Sequence, residues 1–80
     1  MMLTAGQIRM ARGFLRWSVA DLAKASGVSS ATIRRMEEAE GVPNSLADNL
    51  AKLRQAFEAE GIDFIPENGG LAGVRPRRKP

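Results

Sequence analysis

Residues 19–36 constrain the fold more than any other stretch of this chain; they read VADLAKASGVSSATIRRM. The pattern predicts two short helices, one from the N-cap Ser18 to about residue 26 and one from the N-cap Ser29 to about residue 38. Gly27 separates them, since glycine most easily takes the left-handed conformation that ends a helix. The positions that must be apolar or small for close packing are Leu22, Ala23, Gly27, Val28, Ile33 and Met36. This stretch therefore predicts two helices that cross steeply through a short turn.

Two further helices flank this pair. A helix over 5–15 follows the N-cap Thr4, and Gln7 three residues later completes a capping box. Its predicted buried stripe comprises Ile8, Ala11, Phe14 and Leu15. After a break at 41–43, a helix over about 45–60 is predicted to end at Gly61. Its apolar stripe comprises Leu46, Leu50, Leu53 and Phe57.

The pattern changes after this helix. Residues 62–65 are β-branched and aromatic and predict a strand, Asn68-Gly69 is a hairpin turn signal, and 71–75 could form the return strand. The candidate dimerisation residues Ile62, Phe64 and Ile65 could join two subunits by strand pairing or close the core of one. The predicted organisation is one all-α domain over 1–61, a short strand or hairpin over 62–75 and a flexible basic tail over 76–80. Trp17 is assigned to the core.

Composition excludes several classes of function. The chain has no cysteine and no histidine, which rules out disulfides, thiolate zinc sites and histidine-based catalysis. No catalytic residue, metal site, cofactor or small-molecule ligand is predicted. No stretch approaches the ~20 apolar residues of a membrane span, and the N-terminus lacks the apolar run of a secretory signal. We therefore expect a cytoplasmic protein that is not an enzyme and has no membrane partner.

Charge is distributed unevenly along the chain. Residues 1–36 carry six Lys or Arg and one acid, a balance of +5, whereas residues 37–74 carry two Lys or Arg and eight acids, a balance of −6. Residues 75–80 add four positive charges. A basic first half favours a polyanionic partner, although an unevenly charged, solvated surface would give the same counts.

The outward side of the helix over 30–38 and its N-cap carry the residues that could meet such a partner. They are Ser29, Ser30, Ala31, Thr32, Arg34 and Arg35. The major groove of DNA is about 12 Å wide and accepts one helix, whose first turns reach base edges. Together with the charge distribution, this pattern predicts double-stranded DNA as the partner; a small helical bundle without a DNA site is the alternative.

At this point the chain resembles the Xre/Cro-type helix-turn-helix regulators, the group that includes the lambdoid phage repressors. The resemblance covers about residues 4–60 and is carried by IRMARGFLRWS, DLAKASGVSSATIRRME and the GVP break. It implies a four- to five-helix repressor-like domain that binds an inverted-repeat operator as a homodimer, usually as a transcriptional repressor. The ending GIDFIPENGGLAGVR resembles the short tail of many small bacterial members.

The resemblance also implies roles for individual residues. Base reading falls to Ser30, Ala31, Arg34 and Arg35, of which Ser30, Ala31 and Arg35 match the main reading positions and Arg34 flanks them. The alternative is that Arg34 or Arg35 contacts only phosphates. A phosphate contact at the start of the third helix falls to Ser29, with Thr32 beside it. Two further phosphate contacts are predicted apart from the resemblance: Arg16, where such a contact would offset the cost of a positive φ, and Asn44, near the N-terminus of the next helix. Arg12 and Glu37 match a partly buried salt bridge that ties the first helix to the end of the third.

Four positions depart from the family pattern. Val19 stands where a glutamine commonly touches the DNA backbone, and Arg16 stands where glycine is usual. Glu38 and Glu40 follow the third helix, where basic residues are common, and would repel phosphate. Two other functions stay open: an antitoxin-like module whose C-terminal segment binds a partner protein, and RNA binding, which lacks the expected stacking aromatics.

Overall fold

Four helices and one antiparallel hairpin make up the described part of the chain, which comprises residues 3–39, 47–65 and 73–76 of the computed structural model. In chain order they are α1 (Ala5–Leu15), α2 (Val19–Ser26), α3 (Ser30–Glu38), α4 (Ala47–Ala59), β1 (Ile62–Ile65) and β2 (Gly73–Pro76). The predicted break at 41–43, Glu40, Asn44, Leu46, the turn at 68–69 and the tail residues 77–80 lie outside the described residues. The mostly helical class with a short hairpin is confirmed.

The helices begin where the sequence predicts because short polar side chains satisfy their first N–H groups. Thr4 and Gln7 form a capping box, in which each side chain accepts the other residue's main-chain N–H over 3.0 Å. Ser18 and Asp21 form a second capping box at α2. The hydrogen bonds from the Ser18 main chain and hydroxyl hold the pKa of Asp21 below its ordinary value of 3.8. Local chemistry alone therefore sets both helix starts.

One apolar core joins the helices to the hairpin. α2 packs against α3 and α4, α1 packs against α3 and β2, and α4 packs against β1. The core residues are Leu3, Ile8, Ala11, Leu22, Val28, Ile33, Met36, Leu50, Leu53, Phe57 and Ile62. Within the described ranges, every buried side-chain nitrogen and oxygen has a hydrogen-bond partner. Nowhere in these ranges is a helix long and apolar enough to cross a bilayer.

The hairpin closes this core. Phe57 of α4 stacks on Trp17, with ring centroids 5.9 Å apart, and meets Phe64 of β1 edge-on at 5.8 Å. Ile62 is fully buried in the same cluster, so its side chain closes the core of its own subunit, which is the second of the two roles predicted for it. The first role, in joining two subunits, stays a prediction. Of the other two candidates, Phe64 is half-buried and only Ile65 is exposed. The core assignment of Trp17 is confirmed.

The buried side of α1 and the end of the hairpin both differ from prediction. Phe14, predicted to be buried, is 55% exposed. At about 100° per residue it lies about 120° round the helix from Ile8, whereas Ala11 and Leu15 stay on the core side.

Pro76, predicted to begin the flexible tail, is instead the last residue of β2 and pairs with Ile62. Proline is accepted there because the end of an edge strand needs no N–H from it.

A buried glutamine fixes the hairpin to α1. The Gln7 side-chain nitrogen donates to the main-chain oxygens of Ile65 and Gly73, both over 3.0 Å. Its oxygen meanwhile accepts the cap bond from Thr4. Gln7 was predicted only as a capping residue; its amide, with one acceptor and two donors, satisfies three groups at once.

Candidate nucleic-acid interface

The face of α3 that was predicted to meet a partner is open to solvent over most of its length. Ile33 and Met36 anchor the helix in the core, at 0% and 2% exposure. Ser29, Ala31, Arg34 and Arg35 are exposed, while Ser30 and Thr32 are half-buried at the edge of this surface. We call the set of residues 29–32, 34 and 35 the α3 face.

The turn before α3 determines where this face begins. Gly27 has a φ of 80°, and its N–H donates to the Ala23 oxygen over 2.9 Å. The Ser26 hydroxyl accepts the N–H of Val28 over 3.1 Å, and the Val28 side chain is buried. A left-handed glycine followed by a buried valine therefore closes α2 and starts α3 within three residues.

The far end of α3 is held by two arginines of α1. Arg12 donates from Nε to Glu37 Oε2 over 2.8 Å and from Nη2 to Glu37 Oε1 over 2.9 Å, while its Nη1 binds the Trp17 oxygen. The two side chains are 26% and 11% exposed. The hydrogen bond to Glu37 and the attraction of its carboxylate raise the pKa of Arg12, against an opposing effect of burial. Arg9 adds a hydrogen bond to the Glu37 main-chain oxygen, a contact that no sequence pattern indicated.

Hydrogen bonds also run along the α3 face. The Ser29 hydroxyl accepts the Thr32 N–H over 3.2 Å and donates to Thr32 Oγ1 over 2.9 Å. Arg35 Nη2 donates to the same Thr32 oxygen over 3.3 Å. Three of the predicted site residues are thus joined in one row, at spacings of three residues. The spacing was visible in the sequence, but its contacts were not predicted.

The charges of α3 and α4 differ in how they are compensated. On α4, Lys52 Nζ lies 3.5 Å from Asp48 Oδ2, and Arg54 Nε lies 3.2 Å from Glu58 Oε2. In the described part of the chain, neither Arg34 nor Arg35 forms an ion pair with a carboxylate. The positive charge of the α3 face is therefore available to an anion, although exposed Glu38 follows close behind it in the chain.

Arg16 occupies a strained position at the end of α1. It has φ 57° and ψ 37°, and it is the one non-glycine residue with positive φ in the described ranges. Its N–H closes the helix on the oxygens of Arg12 and Gly13, and its side chain is exposed. No hydrogen bond or ion pair between described residues joins it to α3. The predicted phosphate contact of Arg16 therefore has no support from a contact between Arg16 and the α3 face, and it stays a prediction.

We expect Arg16→Gly to stabilise the fold by roughly 0.5–1 kcal/mol, because glycine takes positive φ without a clash of its Cβ. The free energy of unfolding from urea titration measures this. Arg16→Ala is the matched control, since it removes the same charge and keeps the strain. Equal stabilities of the two variants would show that the backbone conformation costs nothing at this position.

No family model and no curated protein matches this chain.

Proposed function

We propose that this chain is a sequence-specific DNA-binding regulator that places α3 in the major groove. In this proposal it is a transcriptional repressor in the cytoplasm. It binds an inverted-repeat operator as a homodimer. The observation that carries the proposal is the α3 face, whose two exposed arginines lack carboxylate partners among the described residues. Base reading also needs a helix that is held in one orientation, whereas a helix face that only meets solvent does not.

The two ends of α3 supply that orientation. The left-handed turn at Gly27 and the Ser29 cap fix its start, and the contacts of Glu37 with Arg12 and Arg9 fix its end. A helix held in this way can present Arg35 to guanine O6 and N7, the bidentate pairing that arginine makes most often. The base-reading set also includes Arg34, Ser30 and Ala31, since serine pairs with several bases and alanine suits a thymine methyl.

Phosphate contacts are assigned to Ser29, Thr32, Arg16 and Asn44, the last of which lies outside the described residues. The exposed N-cap Ser29 and the cationic Arg16 have suitable chemistry for this role. Each phosphate neutralised by a cation should release counterions and make binding weaker as salt rises.

The test is selection of duplexes from a randomised pool by the purified protein, followed by titration of the selected site at several salt concentrations. We expect an enriched sequence with two-fold symmetry, and affinity that falls steeply between low and physiological salt. The DNA that precedes the chain's own coding sequence should contain a related site. A scrambled duplex of equal length is the control.

Failure to enrich any sequence would contradict this function. If a second protein then co-purified in equal amount, the antitoxin-like alternative would take its place. Enrichment from a single-stranded RNA pool, without enrichment from duplex DNA, would favour RNA binding.

A further inference from the structure

We propose that Thr32 is a positioning residue that holds the guanidinium of Arg35 on the α3 face and thereby sets how sharply one base pair is discriminated. The inference rests on the proposed DNA-binding function and adds to it. It changes the role assigned to Thr32, from a phosphate contact to a support for the base-reading arginine.

The contacts of the Thr32 hydroxyl carry this inference. Its oxygen accepts from Arg35 Nη2 over 3.3 Å and from the Ser29 hydroxyl over 2.9 Å. Ser29 is itself fixed, because its Oγ also caps α3 at the Thr32 N–H. Thr32 is half-buried, whereas Ser29 and Arg35 are exposed. The arginine is therefore tied, through one hydroxyl, to the capped start of the helix.

This arrangement leaves Arg35 able to read a base. A guanidinium has five N–H donors; the contact with Thr32 uses one, and a guanine edge uses two. A long side chain that is already restricted loses less freedom when it binds. Thr32 should therefore strengthen the correct contact of Arg35 without adding a contact of its own.

Arg34 provides an internal comparison. It is adjacent in sequence and also exposed, yet within the described ranges no hydrogen bond, ion pair or ring contact restrains its side chain. An unrestrained cation suits a phosphate, which can be met from many directions. The structure therefore distinguishes the two arginines, which the sequence left as joint candidates for base reading.

The test compares Thr32→Val, which keeps the branched shape and removes the hydroxyl, with Thr32→Ser, which keeps the hydroxyl. In the free protein, 15N relaxation of the arginine side chains should show Arg35 Nε restricted in the wild type and T32S and mobile in T32V. The Arg34 Nε signal should not change. Thermal melts of each variant establish that it is folded.

On DNA, we measure the affinity ratio between the selected site and sites with one base pair changed. T32V should lower this ratio by about 2–10-fold at one base pair per half-site, and T32S should restore it. In an Arg35→Ala background T32V should have no further effect, because the two residues act as one unit.

An equal loss of affinity on every sequence would instead make Thr32 a phosphate contact and overturn the inference. The inference would also be overturned if T32V lowered the affinity ratio as much in the R35A background as in the wild type. Unchanged mobility of the Arg35 side chain in T32V would overturn it as well. A wild-type protein without any base preference would refute the proposed function itself; unaltered relaxation would refute the positioning of Arg35 alone.

Discussion

Glu37→Ala should lower the melting temperature by roughly 8–16 °C, because it breaks the ion pair that joins α3 to α1. The substitution leaves the Arg12 guanidinium, which is only 26% exposed, without two charge-assisted hydrogen bonds. Such a loss costs about 2 kcal/mol, less than for a fully buried pair because water still reaches the arginine. For a domain of this size, each kcal/mol corresponds to about 4–8 °C.

Glu38→Ala is the matched control for this prediction. Glu38 is the next carboxylate in the chain and is exposed, so its removal should change stability by less than about 0.5 kcal/mol. The two variants lose the same charge and differ in whether Arg12 keeps its partner. Indistinguishable melting curves would mean that the ion pair does not stabilise the packing of α1 against α3.

Helix ends could be predicted because their causes lie within a few residues of chain. A serine at an N-cap needs only an N–H three residues later, and Gly27 needs only its own backbone freedom. Phe14 shows where this reasoning stops. Its spacing of three residues from Ala11 fits a buried stripe, but its place about 120° round the helix from Ile8 puts it at the margin of that stripe. How wide the covered side of α1 is depends on the elements packed against it, which the local sequence does not specify.

The contacts of the candidate site also differ in how far the sequence could predict them. The residues of the Arg12–Glu37 pair are 25 positions apart, and only the family resemblance indicated it. The bond from Arg9 to the Glu37 main chain has no side-chain partner to suggest it. The Thr32–Arg35 spacing of three residues is a signal of neighbouring side chains on a helix, and it could have identified that contact.

The largest expected effect on binding comes from Arg35→Ala. Losing a bidentate contact to guanine costs about 1–3 kcal/mol, or roughly 5–150-fold, at one base pair per half-site. Stability should not change, because Arg35 is exposed and bound within the described ranges only to Thr32. The measurement is the affinity for the selected site and for each single-base-pair variant of it.

Arg35→Lys separates base reading from charge. Lysine keeps the positive charge but lacks the planar pair of donors that matches guanine, so R35K should lose most of the discrimination and retain affinity for scrambled DNA. Arg34→Ala should do the reverse: it should weaken binding to all sequences alike and reduce the salt dependence by about one phosphate contact per subunit of the dimer. If R35A instead weakened every sequence equally, the residue would be a phosphate contact. Base reading would then have to come from Ser30, Ala31 or Arg34, of which only Arg34 could make a comparable bidentate contact.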